Sequence, residues 1–189
     1  MEGMEIKFEY EKLDHLKDFF LNNQHLFKKH KNGEQETNQH KSNIQKLTVF
    51  YDIQFPYGYC FPISQFIFYY LGGYNSKYVL RCINTIPVDI NGFKFTTSHW
   101  FVHNSQKNTI IDESKEQFDK ILNIEDWYPK SRRANYGFKW FFKAGNRYHT
   151  VVPCAQVMVL YEEYRKIEIN EHLEYFYQKR LEEKIKLNK

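Results

Sequence analysis

Apolar and polar positions repeat with different periods along this chain, and the change of period sorts it into elements. Over residues 8–30, Leu13, Leu16, Phe20 and Phe27 recur on one face at helical spacing. Glu9, Glu11 and Asp14 lie early and Lys28 and Lys29 late, the order a helix dipole favours. The spacing predicts one amphipathic helix over about 8–30. The next stretch, HKNGEQETNQHKSN at 30–43, is polar with a Gly and several Asn, and reads as an exposed loop. Whether that loop is a lid is left open. Residues 60–71 are apolar nearly all round and end at Gly72 and Gly73, which predicts a helix buried at the centre of the fold.

Period two then takes over. KYVLRCINTIPVDI, FKFTTSHWFVHN and NTIIDES are rich in β-branched and aromatic residues, are separated by turn signals, and read as strands. SKEQF reads as a short helix, because Ser114 and Gln117 have the spacing of a capping box. The interval 127–150 is irregular and basic-aromatic, with NRYHTVVP a candidate further strand. Residues 155–188 read as mainly helical, with Leu173, Phe176, Tyr177, Leu181 and Ile185 along one face. Helix, buried helix, antiparallel strands and helix, with no internal repeat, predict one α+β domain over 1–189.

Composition narrows the setting. The 189 residues are 42% hydrophobic and 19% aromatic, enough for a real core. No run approaches the ~18 apolar residues of a membrane span. The acidic start MEGMEIKFEYEK lacks the layout of a signal peptide. Three cysteines, Cys60, Cys82 and Cys154, form no CxxC pair, so the expectation is reduced thiols in the cytoplasm. The formal net charge of +4 is concentrated: residues 127–161 hold six Lys or Arg and no Asp or Glu. A solvated basic loop accounts for this, and so does an acidic partner.

The candidate chemistry centres on Cys60. It sits at the start of the buried helix, with Gly58 two residues before it and Pro62 in the first turn, where proline is tolerated. Backbone N–H groups and the helix dipole favour a thiolate there, the nucleophilic form. Cys is also a small, commonly buried hydrophobe; Cys82 and Cys154 are read that way. In SHWFVHNSQKNTIIDES, a hairpin turning at Ser105–Asn108 pairs Asn104 with Thr109. Strand alternation then puts His99, Phe101 and Asp112 on one face, and Trp100, Val102 and Ile111 on the core side. His99 and Asp112 become diagonal neighbours about 7–8 Å apart at the backbone, within side-chain reach, and a tighter two-residue loop would set them directly opposite on the same face. A carboxylate that fixes an imidazole beside a thiol is the Cys-His-Asp arrangement of nucleophilic catalysis, expected here to face a cleft. A metal site competes poorly. His99 and His103 stand ~13 Å apart along one strand. A mixed site of Cys60, His99 and Asp112 lacks any spaced ligand motif.

Cys at a helix start, SHW on a strand and IID on the next resemble the papain-like cysteine enzymes in the broad sense, which include transglutaminase-like proteins and arylamine N-acetyltransferases. SHWFVHNSQKNTIIDESKEQF is most similar to the small bacterial YunG-like proteins, in which a His-bearing strand precedes an aspartate-x-Thr-x-x-Gln-Phe run. Here that run spans Asp112 to Phe118, with Ser114 in place of the Thr. The resemblance covers about residues 52–120. It implies a nucleophile-bearing helix packed on an antiparallel sheet, Cys60 as nucleophile, His99 as general base and acid, and Asp112 as the orienting group. Gln54, six residues before the Cys as in the papain signature, would then share an oxyanion hole with the Cys60 backbone N–H. Peptide or isopeptide cleavage, deamidation, transamidation and acetyl transfer all fit, on a protein or peptide-like amide substrate, with no cofactor, metal or membrane.

The rival expectation is a non-catalytic binding module of the same fold. Across 127–148, Arg132, Arg133, Lys139, Lys143 and Arg147 alternate with Trp127, Tyr128, Tyr136, Phe138, Trp140, Phe141, Phe142 and Tyr148. Such a stretch can hold single-stranded nucleic acid through phosphates and stacked bases. The same aromatics can instead supply buried core.

Overall fold

A computed structural model describes residues 7–8, 13–30, 56, 58–134 and 153–187. Its elements, in chain order, are β1 (Lys7–Phe8), α1 (Asp14–Asn22), α2 (Gln24–His30), α3 (Cys60–Tyr70), β2 (Tyr78–Ile90), β3 (Phe93–Asn104), β4 (Thr109–Ile111), β5 (Arg132–Arg133), α4 (Ala155–Tyr164) and α5 (Glu171–Leu187). Two 3-10 segments, Lys115–Phe118 and Ile124–Lys130, follow β4. The sheet order is β1-β4-β3-β2-β5, with β1 parallel to β4 and the other pairs antiparallel. The class is α+β, as the sequence predicts.

The long hairpin β2–β3 turns at Asn91 and Gly92, both at positive φ (51° and 85°), the backbone that a two-residue hairpin turn requires. The β3–β4 turn occupies Ser105–Asn108, and Asn104 Oδ1 accepts from the N–H groups of Gln106 and Lys107. Its register pairs Asn104 with Thr109 and Val102 with Ile111, the pairing counted from the sequence.

Each face of the sheet carries its own apolar cluster. Leu80, Cys82, Trp100, Val102 and Ile111 face the helices, where Phe19, Phe20, Phe66, Leu160, Tyr164 and Leu173 pack against them. Ile83, Ile86, Val88, Ile90, Phe101 and Ile110 face the other way, onto Phe118, Ile124 and Tyr128 of the two 3-10 segments. The even-numbered side chains of β2 change face because the ladder is irregular between Ile83↔His99 and Ile86↔Thr97. Two residues of β2 oppose one of β3 there, which makes a β-bulge opposite Ser98.

Three expectations need correction. The helix predicted over 8–30 is two helices. At Asn23 the side-chain amide donates to Phe19 O at 2.9 Å and competes with the helical ladder. Phe8, placed in that helix, instead pairs in β1 with Ile110, where the edge of β4 offers a backbone partner. The face of α5 is also shorter than predicted: Leu173 is fully buried, whereas Ile185 is 58% exposed because the helix runs past the core. Of the predicted loop 30–43, His30 ends α2 and the rest lies outside the described residues, as does the candidate strand in NRYHTVVP up to residue 152. Among the described residues, no helix is long and apolar enough to cross a membrane.

Candidate active site

Cys60 opens α3. Before it the chain turns at Gly58 (φ 79°), and the Tyr59 N–H closes onto Pro56 O at 2.9 Å. Tyr59 offers no side-chain cap, so the first turn of α3 is not closed by a cap side chain. Pro62 lies buried in that turn, and the helix behind it is buried on nearly every side. The Cys60 thiol points toward Ser98 O at 3.9 Å, opposite the bulge of β2.

His99 lies on β3 with its ring fully buried among Phe101, Phe118 and Tyr128. Its Nε2 meets Asp112 Oδ2 at 2.5 Å. Asp112 directly follows β4, and its carboxylate is held on both oxygens. Oδ1 accepts from the N–H and the hydroxyl of Ser114, at 3.1 and 3.0 Å. Oδ2 accepts from the Tyr128 hydroxyl at 2.6 Å as well as facing His99. Gln117 completes the cluster: Nε2 meets Ser114 O at 2.9 Å and His99 Nδ1 at 3.2 Å, while Oε1 accepts from Gly58 N at 3.3 Å. Groups from the helix layer and from the 3-10 layer therefore meet beside β3, just past the end of β4.

The electrostatics follow from this geometry. Burial penalises the charged ring of His99, but the Asp112 carboxylate, with Cys60 nearby, outweighs that penalty and draws the ring toward its charged form. Burial likewise opposes the Asp112 carboxylate, and His99, Tyr128 and Ser114 overcome that penalty to hold it below the usual carboxylate range. Burial pushes the Cys82 thiol up to about 12, leaving it in the inert form.

The structure thus brings Cys60, His99 and Asp112 together, although not at an open cleft: Cys60 is 6% exposed, His99 0% and Asp112 3%. A cavity of about 560 Å³ lies further along, among Lys115, Asp119, Lys120 and Glu125, and includes none of the three. Gln54 lies outside the described residues, as do Lys139, Lys143 and Arg147. Arg132 and Arg133 are exposed on β5. Two aromatics of the basic segment are described. Trp127 lies under the Lys130 ammonium at 3.9 Å, and Tyr128 is buried against Asp112.

Tyr128, Ser114 and Gln117 are the residues the sequence reading assigned elsewhere. Ser114 and Gln117 do not form the predicted capping box; Lys115–Phe118 is a 3-10 turn without a side-chain cap, because Asp112 takes the Ser114 hydroxyl and His99 takes the Gln117 amide. The signal for Ser114 was its spacing of two from Asp112, suited to an Asx turn. No family model, curated protein or solved structure matches this chain.

Proposed function

We propose that the chain is a cysteine-nucleophile enzyme of papain-like or transglutaminase-like type, acting by acyl transfer or amide hydrolysis on a protein or peptide-like substrate. The observation that carries this reading is the buried His99–Asp112 pair at 2.5 Å, with the Cys60 thiol 3.9 Å from the carbonyl of Ser98, the residue before His99. The S–H proton of Cys60 passes to His99 Nδ1, and the sulfur attacks the substrate carbonyl. Asp112 stabilises the imidazolium that results and keeps the ring aligned through Nε2. His99 then returns the proton to the departing amine, leaving a thioester on Cys60. Water completes hydrolysis of that thioester; a second amine completes transfer. The Cys60 backbone N–H, in the first turn of α3, is the oxyanion donor this scheme calls for.

An activated ester tests the reading by intact-mass trapping. The wild type should acylate at Cys60, and Cys60→Ser and His99→Ala should abolish that adduct while remaining folded. Acylation that survives His99→Ala, or falls on another residue, counts against it.

A further inference from the structure

We infer that Gln117 is a latch on the proposed base: its amide occupies His99 Nδ1, the nitrogen that must receive the Cys60 proton, and holds that nitrogen unprotonated at rest. The inference deepens the acyl-transfer reading and rests on it.

Two backbone groups fix the direction of the amide. Ser114 O only accepts, so it takes the amide nitrogen, at 2.9 Å; Gly58 N–H only donates, so it takes the amide oxygen, at 3.3 Å. The remaining N–H of Gln117 then points at His99 Nδ1, at 3.2 Å. A nitrogen that accepts a hydrogen bond carries no proton, so the proton of the ring sits on Nε2 and donates to Asp112. The unprotonated nitrogen of a neutral imidazole has one in-plane lone pair, and Gln117 holds it. The hydrogen of the Cys60 thiol is directed instead at Ser98 O.

Proton transfer breaks the Cys60 S–H bond and forms an N–H bond at His99 Nδ1. The new N–H would face the Gln117 N–H, donor against donor, so the amide has to turn aside first. The titratable groups that face the ring are Asp112, Tyr128 and Cys60, with Glu113 acting on Asp112 from beside it; Phe101 and Phe118 are neutral. Asp112 draws the ring toward its charged form, and Gln117 holds it in the neutral one. The release is built into the turn that carries the nucleophile. Gln117 Oε1 is tied to Gly58, two residues before Cys60, so a substrate that engages the Gly58 N–H or shifts that turn unfastens the amide. Gln117 is thus a positioning residue, and the base is freed by substrate.

The test begins on the wild type. Nitrogen NMR of His99 at about pH 7 should show an unprotonated Nδ1 and a protonated Nε2 in spite of the pull of Asp112; a doubly protonated ring overturns the latch. Gln117→Leu removes the donor, and Gln117→Glu replaces it with an acceptor for the Nδ1 proton. Each should raise the rate of Cys60 alkylation by iodoacetamide at about pH 6.5 by roughly three- to tenfold, the factor one hydrogen bond is worth. A Cys60 that reacts measurably in the wild type, at rates unchanged in both folded variants, overturns it as well. Cys60 inert in every form, with the neutral tautomer intact, counts against the acyl-transfer reading while the latch stands on the NMR result.

Discussion

Tyr128 donates its hydroxyl to Asp112 Oδ2 at 2.6 Å, the same carboxylate oxygen that faces His99. A phenol from the 3-10 layer therefore shares with the imidazole the work of keeping a buried carboxylate charged. Tyr128→Phe should cost about 1.5–3 kcal/mol, the range for a buried hydrogen bond to a charged group. The folded-state pKa of Asp112 is depressed, so its stabilising contribution is present above the ordinary carboxylate range and lost as pH falls through the folded value. Without Tyr128 the folded value rises, and acid unfolding should begin at a higher pH. Urea melts across the acid range check this; an unmoved acid limb would show that Asp112 does not depend on Tyr128.

Cys60 should alkylate well before Cys82 in a short iodoacetamide pulse at neutral pH. Burial holds Cys82 up at about 12, whereas Cys60 lies at a helix start beside an imidazole. Mass mapping of the three thiols decides the order. Labelling of Cys82 ahead of Cys60 would remove the activated-thiol claim.

Trp100 and Asp112 separate packing from chemistry. Trp100 is 1% exposed, on the helix side of β3, in contact with Phe61 at 4.7 Å between ring centroids. Trp100→Ala should cost about 3–5 kcal/mol, as deletions of large core side chains do. Asp112→Asn keeps the volume but presents an N–H toward His99 or toward Ser114, forcing the wrong tautomer or a lost bond. Thermal melts and acylation rates of the two variants should rank oppositely: Trp100→Ala the less stable, Asp112→Asn the slower to acylate for its stability.

What was legible in the sequence was whatever local pattern encodes. The pairing of Val102 with Ile111 follows from a four-residue turn, and the burial of Leu13, Leu16, Phe20 and Phe27 follows from helical spacing. What was not legible depended on which of several partners a polar side chain takes. Ser114 and Gln117 carry a capping-box spacing, yet a nearby carboxylate and imidazole claimed them. Tyr128 sits in a basic stretch whose aromatics read as buried core or as a stacking surface; its ring is core, against Phe101 at 4.8 Å, but its hydroxyl's choice of Asp112 was not legible. The break at Asn23 was hidden for the same reason, since a side-chain amide chose a carbonyl of its own helix.

Glu113 gives the pH dependence a second component. Burial, with the carboxylates of Asp112, Asp14 and Glu116, pushes it up to about 7 against the pull of Lys17. From the ordinary value of 4.5 up to about 7, the folded chain holds a proton that the unfolded chain has lost. Stability should therefore fall as pH rises through that window. Glu113→Gln should flatten the slope and leave the variant more stable than wild type at about pH 8, where the wild-type group is charged in both states. Melts of both proteins through the window check it, and parallel slopes would assign the effect elsewhere.

The bulge opposite Ser98 lets one strand serve two masters. Leu80 and Cys82 belong to the helix side and Ile86, Val88 and Ile90 to the other, although all five are even-numbered and would share a face in an unbroken strand. The surplus residue among Asn84 and Thr85 works as a frame change written into the chain. Deleting Thr85 would leave every remaining partner across the hairpin matched, from Ile83 with His99 to Ile86 with Thr97, so the architecture should survive the loss. What it would remove is the bend of β2 opposite Ser98, whose carbonyl receives the thiol of Cys60. On these grounds the extra residue serves the proposed nucleophile more than the scaffold. Under the proposed function, chemistry would then set the length at that point, in a stretch where strand pairing alone would accept a shorter chain.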